Sequence, residues 1–108
     1  MEPWVGFDLD GTLAVYKHGG HSVDHIGAPV GPIVELARKY LASGMKVKIF
    51  TARATDPNPK VLPAIQAWCK QHLGQVVEVT CSKDYSMLAF YDDRAIAVEP
   101  NTGRIRHF

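Results

Sequence analysis

Asp8 and Asp10 stand two residues apart, at the end of a short apolar run that includes Trp4, Val5 and Phe7. An apolar run leading into polar residues is the pattern of a buried parallel strand that delivers chemistry at its C-terminal end. Extended geometry would point both carboxylates to one face, and Gly11, directly after, permits a sharp turn. Two carboxylates held close repel unless a proton or a cation lies between them. A hard divalent cation such as Mg²⁺ takes oxygen ligands, with substrate phosphate completing its shell. A single Asp at a strand end also serves simply to cap a turn. The whole string Asp8-Leu9-Asp10-Gly11-Thr12 favours the chemical reading over the capping one.

The elements that must hold these residues can be read in order. Leu13 to about Gly27 mixes polar residues with paired glycines and reads as a flap or small hairpin, about 13–27. Gly31-Pro32 opens a helix whose Ile33, Val34, Leu36, Ala37, Tyr40 and Leu41 recur at helical spacing, with Gly44 placed to end it. Met45–Phe50 is predicted as the second strand, running into Thr51-Ala52-Arg53. An Asp-Pro-Asn-Pro turn at 56–59 precedes a second helix from about Lys60 to Leu73, closed by Gly74. Val76–Val79, Leu88–Tyr91 and Ala95–Val98 are predicted as strands three to five, and Arg104–Phe108 as the return of a C-terminal hairpin. Alternating strands and helices imply a mostly parallel, five-stranded α/β sheet with right-handed crossovers. In such a sheet the ligand site lies outside the carboxyl ends of the strands, where strand order switches. Polar residues collect at those places: Asp8 and Asp10, Thr51, and Asp92 and Asp93 each follow an apolar strand, and Lys83 lies on the loop before the fourth.

At 108 residues the chain is read as one domain, 1–108, with a formal charge of +1. That balance gives no broad basic surface for nucleic acid. No apolar run approaches the length of a membrane span, and no signal peptide is visible, so the expected setting is cytoplasmic with no membrane partner. Cys69 and Cys81 read as free thiols. His18, His21 and His25 raise a zinc site, but too few ligands lie near them in sequence, and a partly solvated flap is the preferred reading. Cys69 and His72, on the second helix, read as packing or surface residues.

The ordered set Asp8-Leu9-Asp10-Gly11-Thr12, the strand ending at Thr51, Lys83, and the strand ending at Asp92-Asp93 resembles the four motifs of the haloacid-dehalogenase superfamily of phosphohydrolases. The likeness runs from Val5 to Arg94. Thr51-Ala52-Arg53, Lys83-Asp84-Tyr85, Asp92-Asp93-Arg94 and Asn101-Thr102-Gly103 also look like small uncharacterised members found in phage and prophage genomes. The resemblance implies a Rossmann-like three-layer sandwich and a Mg²⁺-dependent phosphatase acting through an aspartyl-phosphate. Asp8 would be the nucleophile. Asp10 would be the general acid–base and a metal ligand through its backbone carbonyl. Asp92 or Asp93 would complete the metal set. Thr51 and the backbone about Ala52, with Lys83, would hold phosphate. Arg53 and Arg94 are candidates either for structural pairing or for a substrate anion.

Neither Leu13–Ala28 nor Ala52–Ser82 has room for a cap domain, so the resemblance is to a capless member. An open site suits a bulky phosphorylated substrate such as a nucleic-acid end. It also suits a small molecule if a neighbouring subunit of a homo-oligomer closes it. Two alternatives follow: a nucleotidase or polynucleotide 3′-phosphatase, and a non-catalytic phosphate-accepting receiver-like or interaction module.

Overall fold

The computed structural model describes residues 2–17 and 22–106. His18 and His21 of the zinc alternative therefore lie outside the described residues. In chain order the elements are β1 (Trp4–Phe7), α1 (Gly31–Ala42), β2 (Lys46–Phe50), a short 3₁₀ helix (Ala52–Thr55), α2 (Val61–Leu73), β3 (Glu78–Thr80) and β4 (Met87–Tyr91). The strands form one parallel sheet in the order β3-β2-β1-β4. The chain steps from β1 to β2 to β3 in one direction, then returns to add β4 on the other side of β1. Strand order therefore switches between β1 and β4.

Side-chain alternation sets the two faces of the sheet. Val5, Phe7, Val47 and Ile49 share one buried cluster with Val34 and Ala37 of α1 and with Val61, Ile65, Trp68, Cys69 and Leu73 of α2. The buried α2 positions are spaced so that they form one stripe of the helix. Two right-handed crossovers made in the same direction place both helices on the same face of the sheet.

Local sequence accounts for the helix boundaries. Pro32 sits in the first turn of α1, and Gly44, at φ +86°, follows its end. Before α2, Asp56 accepts from the Asn58 N–H at 2.9 Å and Asn58 from the Lys60 N–H at 2.9 Å. These side-chain turns bring the chain around into the helix. Gly74, left-handed at φ +85°, ends it.

The structure corrects the expected architecture in three respects. The sheet has four strands, not five: Ala95–Val98 does not pair along the sheet edge. Among the described residues, which end at Arg106, the C-terminal hairpin reduces to an isolated antiparallel bridge between Val98 and Ile105, with the Arg106 N–H on the Ala97 carbonyl at 2.8 Å. Pro100, whose nitrogen cannot donate, and an exposed run on both sides leave little to extend that bridge into strands. The layers are two, not three. The connection from β3 to β4 spans only Cys81–Ser86, too short for a helix, so no helix covers the second face among the described residues.

On that second face Trp4 is covered by neighbouring side chains, while Phe90 of β4 is exposed. Trp4 is 1% exposed although it lies there. Lys48 Nζ stands 4.5 Å from its ring centre and also pairs with Glu78 at 3.1 Å. The Trp4 indole N–H donates to Asp84 at 2.9 Å. Among the described residues no helix is long and apolar enough to cross a membrane.

Candidate active site

The ends of β1 and β4 are tied together where strand order switches. The Asp8 N–H donates to the Tyr91 carbonyl at 2.9 Å, and the Tyr91 ring stacks on Phe7 at 4.8 Å between centres. These contacts fix the point at which each strand releases its acidic residues. As a result Asp8, Asp92 and Asp93 each offer a carboxylate oxygen, all within 4.8 Å of one another. Burial, and then the neighbouring carboxyls of Asp92 and Asp93, push the Asp8 pKa up to about 7. A group of this kind is short of positive charge.

The turn after β1 is built around Asp93. Gly11 adopts φ +89°, and a Cβ there would lie 2.5 Å from Asp93 Oδ2. Thr12, almost fully buried, donates its hydroxyl to Asp93 Oδ1 at 3.0 Å. The sequence marked Gly11 only as a turn former and gave Thr12 no role beyond the motif. The structure shows both residues shaping the carboxylate cluster. Their signal was present in the Asp-Gly-Thr string, but Asp93 lies 81 residues away from Thr12, and nothing local announces that contact.

Thr51 is buried at the end of β2, with its N–H on the Thr80 carbonyl at 2.9 Å. Its side-chain oxygen accepts the Arg53 N–H at 3.1 Å, which starts the short 3₁₀ helix Ala52–Thr55 and turns Arg53 back over the sheet end. The Arg53 side chain then grips Asp10 with a fork: Nε to Oδ2 at 2.7 Å and Nη2 to Oδ1 at 2.9 Å. Nη2 also donates to the His25 carbonyl at 2.9 Å, and Nη1 to the Ser22 carbonyl at 3.1 Å. Of the two expected roles for Arg53, structural or substrate-anion contact, this pairing is of the structural kind, and its partner was not anticipated. Arg and Asp in separate motifs carry no sequence signal that they meet.

A cavity of about 790 Å³ is lined by Asp8, Asp10, Thr51, Ala52, Arg53, Asp92, Asp93 and Arg94. All the expected site residues except Lys83 thus share one space. Lys83 is exposed on the loop between β3 and β4 and is not on the cavity wall. Phe50 and Phe90, with ring centres 4.7 Å apart, form an aromatic part of that wall. On the flap side of the Asp10–Arg53 pair lies a smaller cavity of about 350 Å³, lined in part by Tyr16, Lys17 and His25. Asp8, Asp92 and Asp93 form a set of hard oxygen donors with no sulfur or imidazole among them, a donor set that could hold a hard divalent cation. Compared with known proteins, the chain matches no family model and no curated protein.

Proposed function

We propose that this protein is a Mg²⁺-dependent phosphomonoesterase of the haloacid-dehalogenase type, with Asp8 as nucleophile. The observation that carries the reading is the meeting of Asp8, Asp92 and Asp93 at the switch in strand order, in one cavity with Asp10 and Thr51. Asp8, Asp92 and Asp93 would hold the cation, which when bound offsets the charge between the carboxylates and the phosphate. An Asp8 oxygen attacks phosphorus, and the ester oxygen departs with a proton that Asp10 carries on a lone pair the Arg53 fork leaves open. Asp10 then takes a proton from water as the water attacks the aspartyl-phosphate, releasing inorganic phosphate and restoring Asp8. The Thr51 hydroxyl oxygen accepts from Arg53 N–H, which leaves its proton to donate to a phosphate oxygen.

The test is turnover of p-nitrophenyl phosphate by wild type and Asp8→Asn, with and without EDTA. Mg²⁺-dependent turnover lost in a folded Asp8→Asn protein is the expected result. Wild-type rates in Asp8→Asn, or turnover indifferent to EDTA, would overturn the reading. Phosphorylation of Asp8 without turnover would instead identify a phosphate-accepting switch. Within the phosphatase reading, Phe50 and Phe90 favour a substrate with a stackable ring. A nucleotide or the 3′-phosphate end of an oligonucleotide has that character, and the cavity is larger than a phosphate alone requires.

A further inference from the structure

The Arg53 side chain touches both the flap, at Ser22 and His25, and the carboxylate expected to move protons. Its side chain is 8% exposed, and both Asp10 oxygens are engaged by its fork. A guanidinium has five N–H donors. Two go to Asp10, one to the Ser22 carbonyl and one to the His25 carbonyl, which leaves a single N–H. So nearly saturated a group has little left with which to bind a substrate anion. Its own backbone is fixed by the Thr51 side chain at the end of β2.

Val23 and Ile26 of the flap pack against the core cluster, and polar bonds of two kinds add to that anchor. The flap base is held by main-chain bonds: Val15 N–H to the Ala28 carbonyl at 2.8 Å and Val30 N–H to the Leu13 carbonyl at 2.7 Å. The Trp68 indole N–H adds a bond to the Gly27 carbonyl at 3.0 Å. Farther along, at Ser22 and His25, the side-chain anchor is Arg53. A planar fork fixes the plane of the carboxylate it binds as well as its position. The orientation of Asp10 and the polar seating of the flap at Ser22 and His25 therefore share one group.

We propose that Arg53 is a positioning residue that couples the segment 22–27 to Asp10, so that the seating of that segment and the aim of the Asp10 carboxyl at the ester oxygen are set together. Arg53 does not touch the phosphate in this scheme. The kinetic half of the inference rests on the phosphomonoesterase reading; the structural half does not. The coupling runs both ways: removing the fork from either side loosens the flap.

The experiment has two arms. In the first, hydrogen exchange of the segment 22–27 is compared in wild type, Arg53→Ala and Asp10→Asn, all without substrate. Exchange should rise in both variants, because Asn presents an amide N–H₂ to one of the guanidinium donors and breaks the fork. Unchanged exchange in Arg53→Ala, or a rise in Arg53→Ala with none in Asp10→Asn, would overturn the coupling.

In the second arm, kcat and KM are measured for an alkyl phosphate and for p-nitrophenyl phosphate, whose leaving group needs little protonation. Arg53→Ala should lose roughly 10²-fold in kcat on the alkyl phosphate and much less on p-nitrophenyl phosphate, with KM changed by no more than about threefold. The Arg53→Ala/Asp10→Asn double variant should be no slower than Asp10→Asn alone, since both changes act through one carboxyl. Added guanidinium should restore part of the rate to Arg53→Ala and none to Asp10→Asn. A raised KM at unchanged kcat, equal losses on both substrates, or multiplying losses in the double variant would make Arg53 a substrate-binding or general structural residue and overturn the proposal. If Arg53→Ala does not fold, Arg53→Lys, which keeps the charge and loses the fork, carries both arms. If the wild type turns over neither substrate, the phosphatase reading fails and the exchange arm alone decides the role of Arg53.

Discussion

Three carboxylates from two strand ends define the candidate site, and the residues that shape them are small. Gly11 must be glycine for two reasons that reinforce each other: its φ of +89°, and the Asp93 carboxylate lying where a Cβ would go. Gly11→Ala is expected to displace Asp93 and to lower Mg²⁺ affinity by roughly tenfold or more. Isothermal titration with Mg²⁺ checks this; wild-type affinity would show that the cluster does not depend on the turn. Thr12→Val keeps the shape and removes the hydroxyl that donates to Asp93 at 3.0 Å. Outer-shell partners of this kind typically contribute about 10–100-fold in metal affinity. The same titration should place Thr12→Val within that span, with the melting temperature little changed.

At the scale of elements, α2 is the support of both the core and the flap. Ile65 is fully buried on its inner stripe, and Trp68 reaches the Gly27 carbonyl at the flap base. Ile65→Ala should cost about 2–5 kcal/mol, read from urea unfolding. Cys69 lies on the same stripe, and burial pushes its thiol up to about 12. Cys81 is exposed just after β3. A thiol reagent at neutral pH should therefore modify Cys81 in the native protein, and Cys69 only after unfolding. Mass spectrometry of the labelled peptides decides it. Labelling of Cys69 at the native rate of Cys81 would show that α2 opens readily.

For the whole molecule, stability without metal should depend on pH through Asp8. Its folded pKa is raised to about 7 by burial and by Asp92 and Asp93, above the ordinary Asp value of about 3.9. Below the unfolded pKa the carboxyl is protonated in both states, and the stabilising contribution is fully present. As pH rises toward the folded value the unfolded chain loses this proton first. The contribution is then progressively lost, and it is gone above the folded pKa. In EDTA, the wild type should melt some degrees lower at about pH 8 than at about pH 5. Asp8→Asn should flatten that difference, and saturating Mg²⁺ should raise the wild-type melting temperature more at the higher pH, because under the proposed function the cation would bind the ionised cluster. Calorimetry at the two pH values makes the comparison. A wild type whose pH dependence matches that of Asp8→Asn would show that Asp8 ionises freely.

The sequence by itself determined which residues come at strand ends. Apolar runs of strand length followed by Asp, Thr or paired Asp are a local pattern, and β1, β2 and β4 end where that pattern says they should. Helical spacing and glycine stops likewise placed α1 and α2 to within a residue or so, since caps and amphipathic stripes are properties of a few turns of chain. Strand number, the hairpin and the layers were not legible in the same way. Ala95–Val98 has strand-forming residues, but a strand exists only where a partner edge accepts it, and here β4 lies next to β1 without a further neighbour. The absent third layer follows from where β4 is inserted, which no local window contains. Trp4 shows the consequence: it reads as one more apolar strand residue, yet on the face that no helix covers it is buried through Lys48 and Asp84. The contacts of Arg53 with Asp10 and of Thr12 with Asp93 were likewise decided by tertiary structure, 43 and 81 residues apart along the chain. Side chains that far apart meet only because the parallel sheet brings the ends of its strands to one edge.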